Sequence, residues 1–183
     1  MIVLSGPSGV GKGTIAKLLV ERNKDISLSI SCTTRKPRDG EINGREYFFI
    51  DKSEFKEKIN NDGFLEYSEH FENFYGTPKD FVLDKLQNSN VLLEIDVNGG
   101  LEVKSRYNDA VLVMITPPSL EEVRNRLIKR GTETEEKINL RMERIGYELD
   151  KQGLYDYVVI NDVLLDAVKE IEGIIKLEKN KCK

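Results

Sequence analysis

Apolar and polar positions follow two different rhythms along this chain. A short apolar run, Ile2-Val3-Leu4, lies in residues 1–5 and reads as a strand. After a Gly-rich turn, Ile15, Leu18 and Leu19 fall on one face of a helix. Residues 91–96, 110–116 and 155–160 are further apolar runs of strand length. Ser119 with Glu122 forms a capping box that opens a helix to about Arg130, and residues 164–179 read as a closing helix. Strands that alternate with helices predict an α/β fold, a parallel sheet covered by helices on both faces.

The stretch 33–79 breaks this rhythm. It has short alternating segments, Tyr47 to Ile50 and Phe64 to Phe71, and one short helix near 52–61 with Gly63 just past its end. It is expected to be a lobe inserted in the core. A second, charge-rich interruption at 127–142 is expected to be a small lid. The core is then 1–32, 80–126 and 143–183 within a single domain.

Charge and cysteine usage narrow the function classes. The net charge is −4, which argues against a general nucleic-acid binder, so any anion site must be a local concentration of arginine. No apolar run approaches the roughly 20 residues of a membrane span. The opening apolar run has no basic region before it and no cleavage site after it. The two cysteines, Cys32 and Cys182, lie far apart, which suits a reducing cytoplasm better than a disulfide framework. Neither is expected to carry chemistry. Composition does not decide the oligomeric state.

Candidate chemistry begins at Gly6-Pro7-Ser8-Gly9-Val10-Gly11-Lys12, between the first strand and the first helix. Glycines there let backbone N–H groups turn inward around phosphate oxygens, and the helix N-terminus adds its dipole. Lys12 supplies a point charge for the β and γ phosphates. The hydroxyl that usually follows such a lysine and ligates Mg²⁺ is absent, because the next residue is Gly13 and Thr14 comes after it. Mg²⁺ is therefore expected to be held mainly by nucleotide phosphates and water.

Arg35 and Arg38 flank Pro37, and two guanidinium forks at that spacing can grip one phosphate. Tyr47 and Tyr75 can add hydroxyl donors. A solvated charged loop explains the same residues equally well from spacing alone. Glu66, in Phe64-Leu65-Glu66-Tyr67, is either a base-reading carboxylate or a half-exposed strand residue. His70 is expected at the surface, and Arg124 on a salt-bridged helix face.

Four stretches together resemble guanylate kinase, a family of P-loop nucleoside-monophosphate kinases. They are the loop from Gly6 to Thr14, Ser31 to Tyr47, Tyr75-Gly76-Thr77 and Arg130 to Glu135. The resemblance runs in order through nearly the whole chain. It implies ATP:GMP phosphotransfer with Mg²⁺, in purine nucleotide metabolism and GMP recycling. It implies that Gly6, Pro7, Ser8, Gly9, Val10, Gly11, Lys12, Gly13, Thr14 and Asn161 bind ATP, with Asn161 near the adenine. Arg35, Arg38, Tyr47 and Tyr75 match residues that hold the GMP phosphate, and Glu41 matches a residue supporting the arginine pair. Ser31, Glu66 and Thr77 match the guanine readers. Glu94 and Asp96 match acidic residues near substrate, Asp96 being also a candidate near the metal. Lys12, Arg126, Arg130 and Arg141 match the groups around the transferring phosphoryl. Glu94 stands where Asp is common, Asn98 where Gln is common and Gly13 where Ser is common.

Two rival readings remain: a kinase for another nucleoside monophosphate or nucleoside, and a kinase-like fold kept as an interaction module. Glu66 with Ser31 and Thr77 weighs against the first, since a carboxylate complements the N1–H and N2–H₂ donors of guanine and not adenine's bare N1. The intact Gly6, Gly11 and Lys12 weigh against the second.

Overall fold

The computed structural model describes residues 1–70, 72–130 and 134–181, with the side chains of 126, 129 and 130 left aside. Its centre is a parallel sheet of five short strands. They are β1 (Ile2–Ser5), β2 (Ile26–Leu28), β7 (Asn90–Glu94), β8 (Val111–Thr116) and β9 (Tyr157–Ile160), in the order β2-β7-β1-β8-β9. Val3 pairs with Leu93 on one side and Leu112 on the other.

The apolar runs are strands because both faces of this sheet are buried. On one face Leu4, Val113 and Val159 pack with Ile15 and Leu19 of α1 (Lys12–Arg22) and Ile171 of α7 (Leu164–Lys181). On the other, Val3, Leu93 and Met114 pack with Val82 of α3 (Lys79–Leu86) and Val103 of α4 (Val97–Arg106). Each such side chain contributes about 1.5–3 kcal/mol on burial. In a parallel sheet every carboxyl end points to the same edge. The loops after β1, β7 and β9 therefore converge there, which is where ligands bind in open α/β sheets.

The predicted lobe is a second sheet. It contains β3 (Cys32–Thr33), β4 (Phe48–Phe49), β5 (Phe64–His70) and β6 (Asn73–Pro78), ordered β4-β3-β6-β5, and α2 (Lys52–Asn60) packs on it. Asp51 caps α2 by accepting the Glu54 N–H at 2.8 Å. The lobe has its own small core. Phe55 stacks between Phe64 at 4.5 Å and Phe74 at 5.3 Å, with buried Cys32 beside them.

The described residues of the expected lid belong largely to two helices. Helix α5 (Leu120–Arg130) begins at the Ser119 cap, whose Oγ accepts the Glu122 N–H at 3.1 Å. Helix α6 (Glu135–Leu149) then packs Ile138 and Ile145 against Val123 and Leu127 of α5. The bounds drawn at 127 and 142 thus fall inside α5 and α6. Arg124 donates to Asn139 at 2.8 Å and pairs with Glu135 at 3.4 Å.

Helix α4 was not anticipated from the sequence, and its Gly99-Gly100 pair is unfavourable for a helix. Its glycines serve close packing. A Cβ on Gly99 would lie 2.6 Å from Glu66 Oε2, and one on Gly100 would lie 2.5 Å from the Tyr155 hydroxyl. Among the described residues, no helix is long and apolar enough to cross a membrane.

Candidate active site

The loop after β1 is shaped by two positions that only glycine fits. Gly6 has φ +144°, and a Cβ there would sit 2.2 Å from the Ile115 carbonyl oxygen. Gly11, with φ +95°, caps α1, and a Cβ would meet the Asn161 amide at 2.6 Å. Asn161 is buried and donates from Nδ2 to the Val10 carbonyl at 2.7 Å, so it ties the end of β9 to the loop. Lys12 folds back over this loop, donating to the Gly6 carbonyl at 2.6 Å and the Pro7 carbonyl at 3.1 Å. Burial lowers the Lys12 pKa, and Glu94, Glu148 and Asp96 oppose that shift. From the lid helix, Arg141 donates to Ser8 Oγ at 2.9 Å. Gly13 and Thr14 are exposed at the start of α1. A Cβ on Gly13 would stand 3.4 Å from Glu94 Oε1, so the longer Glu94 reaches toward the place left open beside the lysine.

Beside the loop lies a cavity of about 580 Å³. Its lobe wall includes Ser31, Tyr47, Glu66 and Tyr75, its floor Lys12, Glu94 and Asp96, and its lid wall Arg141, Arg144 and Glu148. Glu66 is no half-exposed strand residue. It is 3% exposed, accepts the Thr77 hydroxyl at 2.5 Å and lies over Gly99. Burial pushes its pKa up to about 7, against the pull of the Thr77 hydroxyl. Tyr47 and Tyr75 meet edge to face at 6.1 Å. Burial, then the nearby Glu94, pushes the Tyr47 phenol up as well.

Neither Arg35 nor Arg38 lines the cavity, and Arg35 approaches it through the Tyr47 ring. Glu41 accepts Arg35 Nη2 at 2.9 Å through one oxygen and the Arg38 backbone N–H at 2.8 Å through the other. The Arg35 guanidinium also lies 5.5 Å from the Tyr47 ring centre, while Arg38 is exposed. The side chains of Arg126 and Arg130, and all of Cys182, lie outside the described residues. Cys32 is buried in β3, and burial raises its pKa to about 11, which leaves it an inert thiol.

His70, expected at the surface, is half-buried: it ends β5 and lines the cavity. Nε2 is 2.7 Å from Asp96 Oδ2 and 2.9 Å from Ser68 Oγ, and Arg144 Nη1 is 2.9 Å from Nδ1. The other Asp96 oxygen accepts the Gly99 N–H at 2.9 Å and so caps α4. Burial works against the Asp96 charge. The hydrogen bonds from His70, Gly99 and Ser68 outweigh it and hold this carboxyl well below the usual carboxylate range. Ser68, His70, Arg144 and Glu148 were all missed from sequence. One signal pointed to the first two: alternation along β5 puts Glu66, Ser68 and His70 on one face.

A parallel sheet with a phosphate loop at its carboxyl edge, facing a basic and tyrosine-lined acceptor lobe, defines a P-loop phosphotransferase. Comparison with known proteins agrees. The guanylate kinase family model matches residues 1–178. The guanylate kinase of Caldanaerobacter subterraneus subsp. tengcongensis is 52% identical over 98% of this chain and 87% of its own. That of Clostridium perfringens (strain 13) is 50% identical over 98% of this chain and 83% of its own. The crystal structure of guanylate kinase from Anaplasma phagocytophilum superposes with TM-score 0.80 at 33% identity, covering 97% of this chain and 85% of that one. The chain belongs to the guanylate kinase family, the ATP:GMP phosphotransferases.

Proposed function

We propose that this cavity carries out the family reaction, transfer of the γ-phosphoryl group of ATP to the phosphate of GMP, with the following division of labour. The loop N–H groups from Gly9 to Lys12 cradle the ATP phosphates, and the Lys12 ammonium moves from its loop carbonyls to the β and γ oxygens. Arg141 already reaches Ser8 and can neutralise the transferring group, with Arg126 and Arg130 of α5 as further candidates. Arg35, Arg38, Tyr47 and Tyr75 hold the acceptor phosphate. Asn161 serves the ATP side by fixing the loop.

The observation that carries this reading is Glu66. A nearly inaccessible carboxylate accepts the Thr77 hydroxyl and lines one cavity with Ser31 and Lys12. Two carboxylate oxygens complement the two adjacent donors of guanine.

The donor set also fits Mg²⁺ carried in by ATP. Among the described residues, no group of three His, Cys, Asp or Glu could form a protein cage. Glu94 and Asp96 face the phosphate side and would bind the ion's waters, and Gly13 leaves space beside Glu94. The ion, when bound, neutralises phosphate charge. We place the reaction in the cytoplasm, where both nucleotides are supplied.

A coupled assay of ADP formation with ATP and each nucleoside monophosphate tests the reading. GMP is expected to exceed AMP by ~10³-fold or more in kcat/KM, since sites built to hydrogen-bond a substrate group reject analogues lacking it strongly. Equal use of the two would overturn it.

A further inference from the structure

Three parts of the protein meet at one imidazole. His70 belongs to the acceptor lobe, Asp96 to the core and Arg144 to the lid helix α6. Arginine only donates, so Nδ1 is the nitrogen that accepts, from Arg144 Nη1. The proton then sits on Nε2, which donates to Asp96 Oδ2. The contacts at Nδ1 with Arg144 Nη1 and at Nε2 with Asp96 then each have a matched donor and acceptor, and Arg144 Nη2 lies farther off, 3.5 Å from Nε2. The chain extends at both ends, to buried Glu148, which accepts Arg144 Nε at 2.9 Å, and to the Gly99 N–H on the other Asp96 oxygen. Ser68 Oγ lies beside the same nitrogen at 2.9 Å, and Tyr75 lies against the ring at 5.9 Å between centres.

We propose that His70 is a positioning residue for phosphoryl transfer. It fixes Asp96 at the mouth of the phosphate site and, through Arg144, sets the lid helix. Arg144 and Arg141 are three residues apart on α6 and so share a face. Arg141 reaches Ser8 of the loop, and Arg144 reaches His70 of the lobe. The helix is therefore docked at two points, one on the loop and one on the lobe. Releasing the His70 end lets α6 retreat, which takes Arg141 from the loop at the same time as Asp96 loses its orientation. The effect falls on the arrangement of charges around the transferring group. Affinity for either nucleotide alone, set by the loop and by Glu66, is affected less. This inference rests on the phosphotransfer reading given above.

The two ring nitrogens can be separated by substitution. His70→Phe keeps a ring against Tyr75 and loses both contacts. His70→Gln places an amide donor near the Nε2 position, and His70→Asn places an acceptor near the Nδ1 position. In His70→Phe, kcat is expected to fall ~10-fold or more while KM for ATP and GMP changes less than about 3-fold, the pattern of lost transition-state positioning. Gln and Asn should each recover part of that kcat, and a His70→Phe/Arg144→Met double variant should lose much less than the product of the single losses. A residue needed only for folding would lower the thermal midpoint without this kcat-against-KM split or the partial rescue. If His70→Phe fails to fold, the Gln and Asn variants, each combined with Arg144→Met, carry the test: Arg144→Met should cost kcat in His70→Asn and little in His70→Gln. Full kcat in His70→Phe, or equal Arg144→Met losses in both backgrounds, would overturn the proposal. Absence of GMP turnover in the unsubstituted protein would instead overturn the phosphotransfer reading.

Discussion

The phosphate loop and the acceptor lobe prepare for anions by opposite means. The loop does it with backbone. Gly6 and Gly11 adopt conformations closed to other residues, Asn161 holds the Val10 carbonyl, and Lys12 is folded against the loop's own carbonyls. The lobe does it with side chains held by other side chains. Glu41 holds Arg35, Thr77 holds Glu66, and His70 holds Asp96. A backbone cradle recognises any phosphate and costs no reorganisation when the ligand arrives. A side-chain web distinguishes one acceptor from another, because each buried group must find its complement or remain unsatisfied.

The difference is sharpest when one charge is removed from each side. Lys12→Ala should lower kcat by ~10²-fold or more while the thermal midpoint stays near that of the unsubstituted protein, since it removes a charge meant for the phosphates and no core packing. Near-normal turnover would mean that the loop N–H groups and the arginines suffice without it.

On the lobe side, Glu66→Gln turns an amide donor toward a guanine donor. A mismatch of about 1–3 kcal/mol follows, which is roughly a 10- to 100-fold loss in kcat/KM for GMP. The ATP side should change little. The same residue gives a pH signature. The folded-state pKa is raised from 4.5 to about 7, so the native state favours the proton. The stability associated with that proton is present below pH 4.5 and is lost as pH rises through 7. Binding has the opposite sign, because guanine's donors need the ionised form. KM for GMP should rise roughly tenfold from pH 8 to pH 6, beyond the titration of the substrate phosphate. Glu66→Gln supplies the reference, since it retains only the phosphate's own dependence. Parallel profiles in the two proteins would show that Glu66 does not titrate in this range.

The two regions also differ in how much of them could be read from sequence. The loop is contiguous, so strand, glycines, lysine and helix appear in one run of residues, and the structure matches that run. Glu66, Tyr47, Tyr75 and Ser31 were picked out individually and do share a wall. The web that binds them was not legible. His70 looked like a strand-end surface residue because its partners lie 26 and 74 positions away. Arg144 carries no signal in the sequence that would single it out from the other charges of α6. Helix α4 was not anticipated, and its two glycines serve close packing against Glu66 and Tyr155. Periodicity reports which face is buried, and it carries no information about which distant residue will complete a polar contact.

The smallest expected effect tests whether the lobe's side-chain web works by holding or by competing. Glu41 accepts Arg35 and the Arg38 N–H together, so it fixes the turn that carries both arginines. It also occupies part of the Arg35 fork that a phosphate would use. Holding predicts that Glu41→Gln raises KM for GMP, and competition predicts that it lowers it. The Arg35 contact is 2.9 Å, but Nη1 is separately held by the Lys36 carbonyl at 2.7 Å, so the guanidinium is positioned twice. The Arg38 N–H has Glu41 as its side-chain acceptor, and the backbone bond from the Glu41 N–H to the Arg38 carbonyl closes the same turn at 3.1 Å. Loss of the carboxylate charge therefore loosens the turn more than it liberates the fork. KM for GMP should rise roughly 3- to 10-fold, kcat should hardly move, and stability should fall by no more than about 1 kcal/mol, as for other solvent-facing ion pairs. A lower KM in Glu41→Gln would assign Glu41 to competition and make the acceptor lobe self-inhibited by its own carboxylate in the absence of substrate.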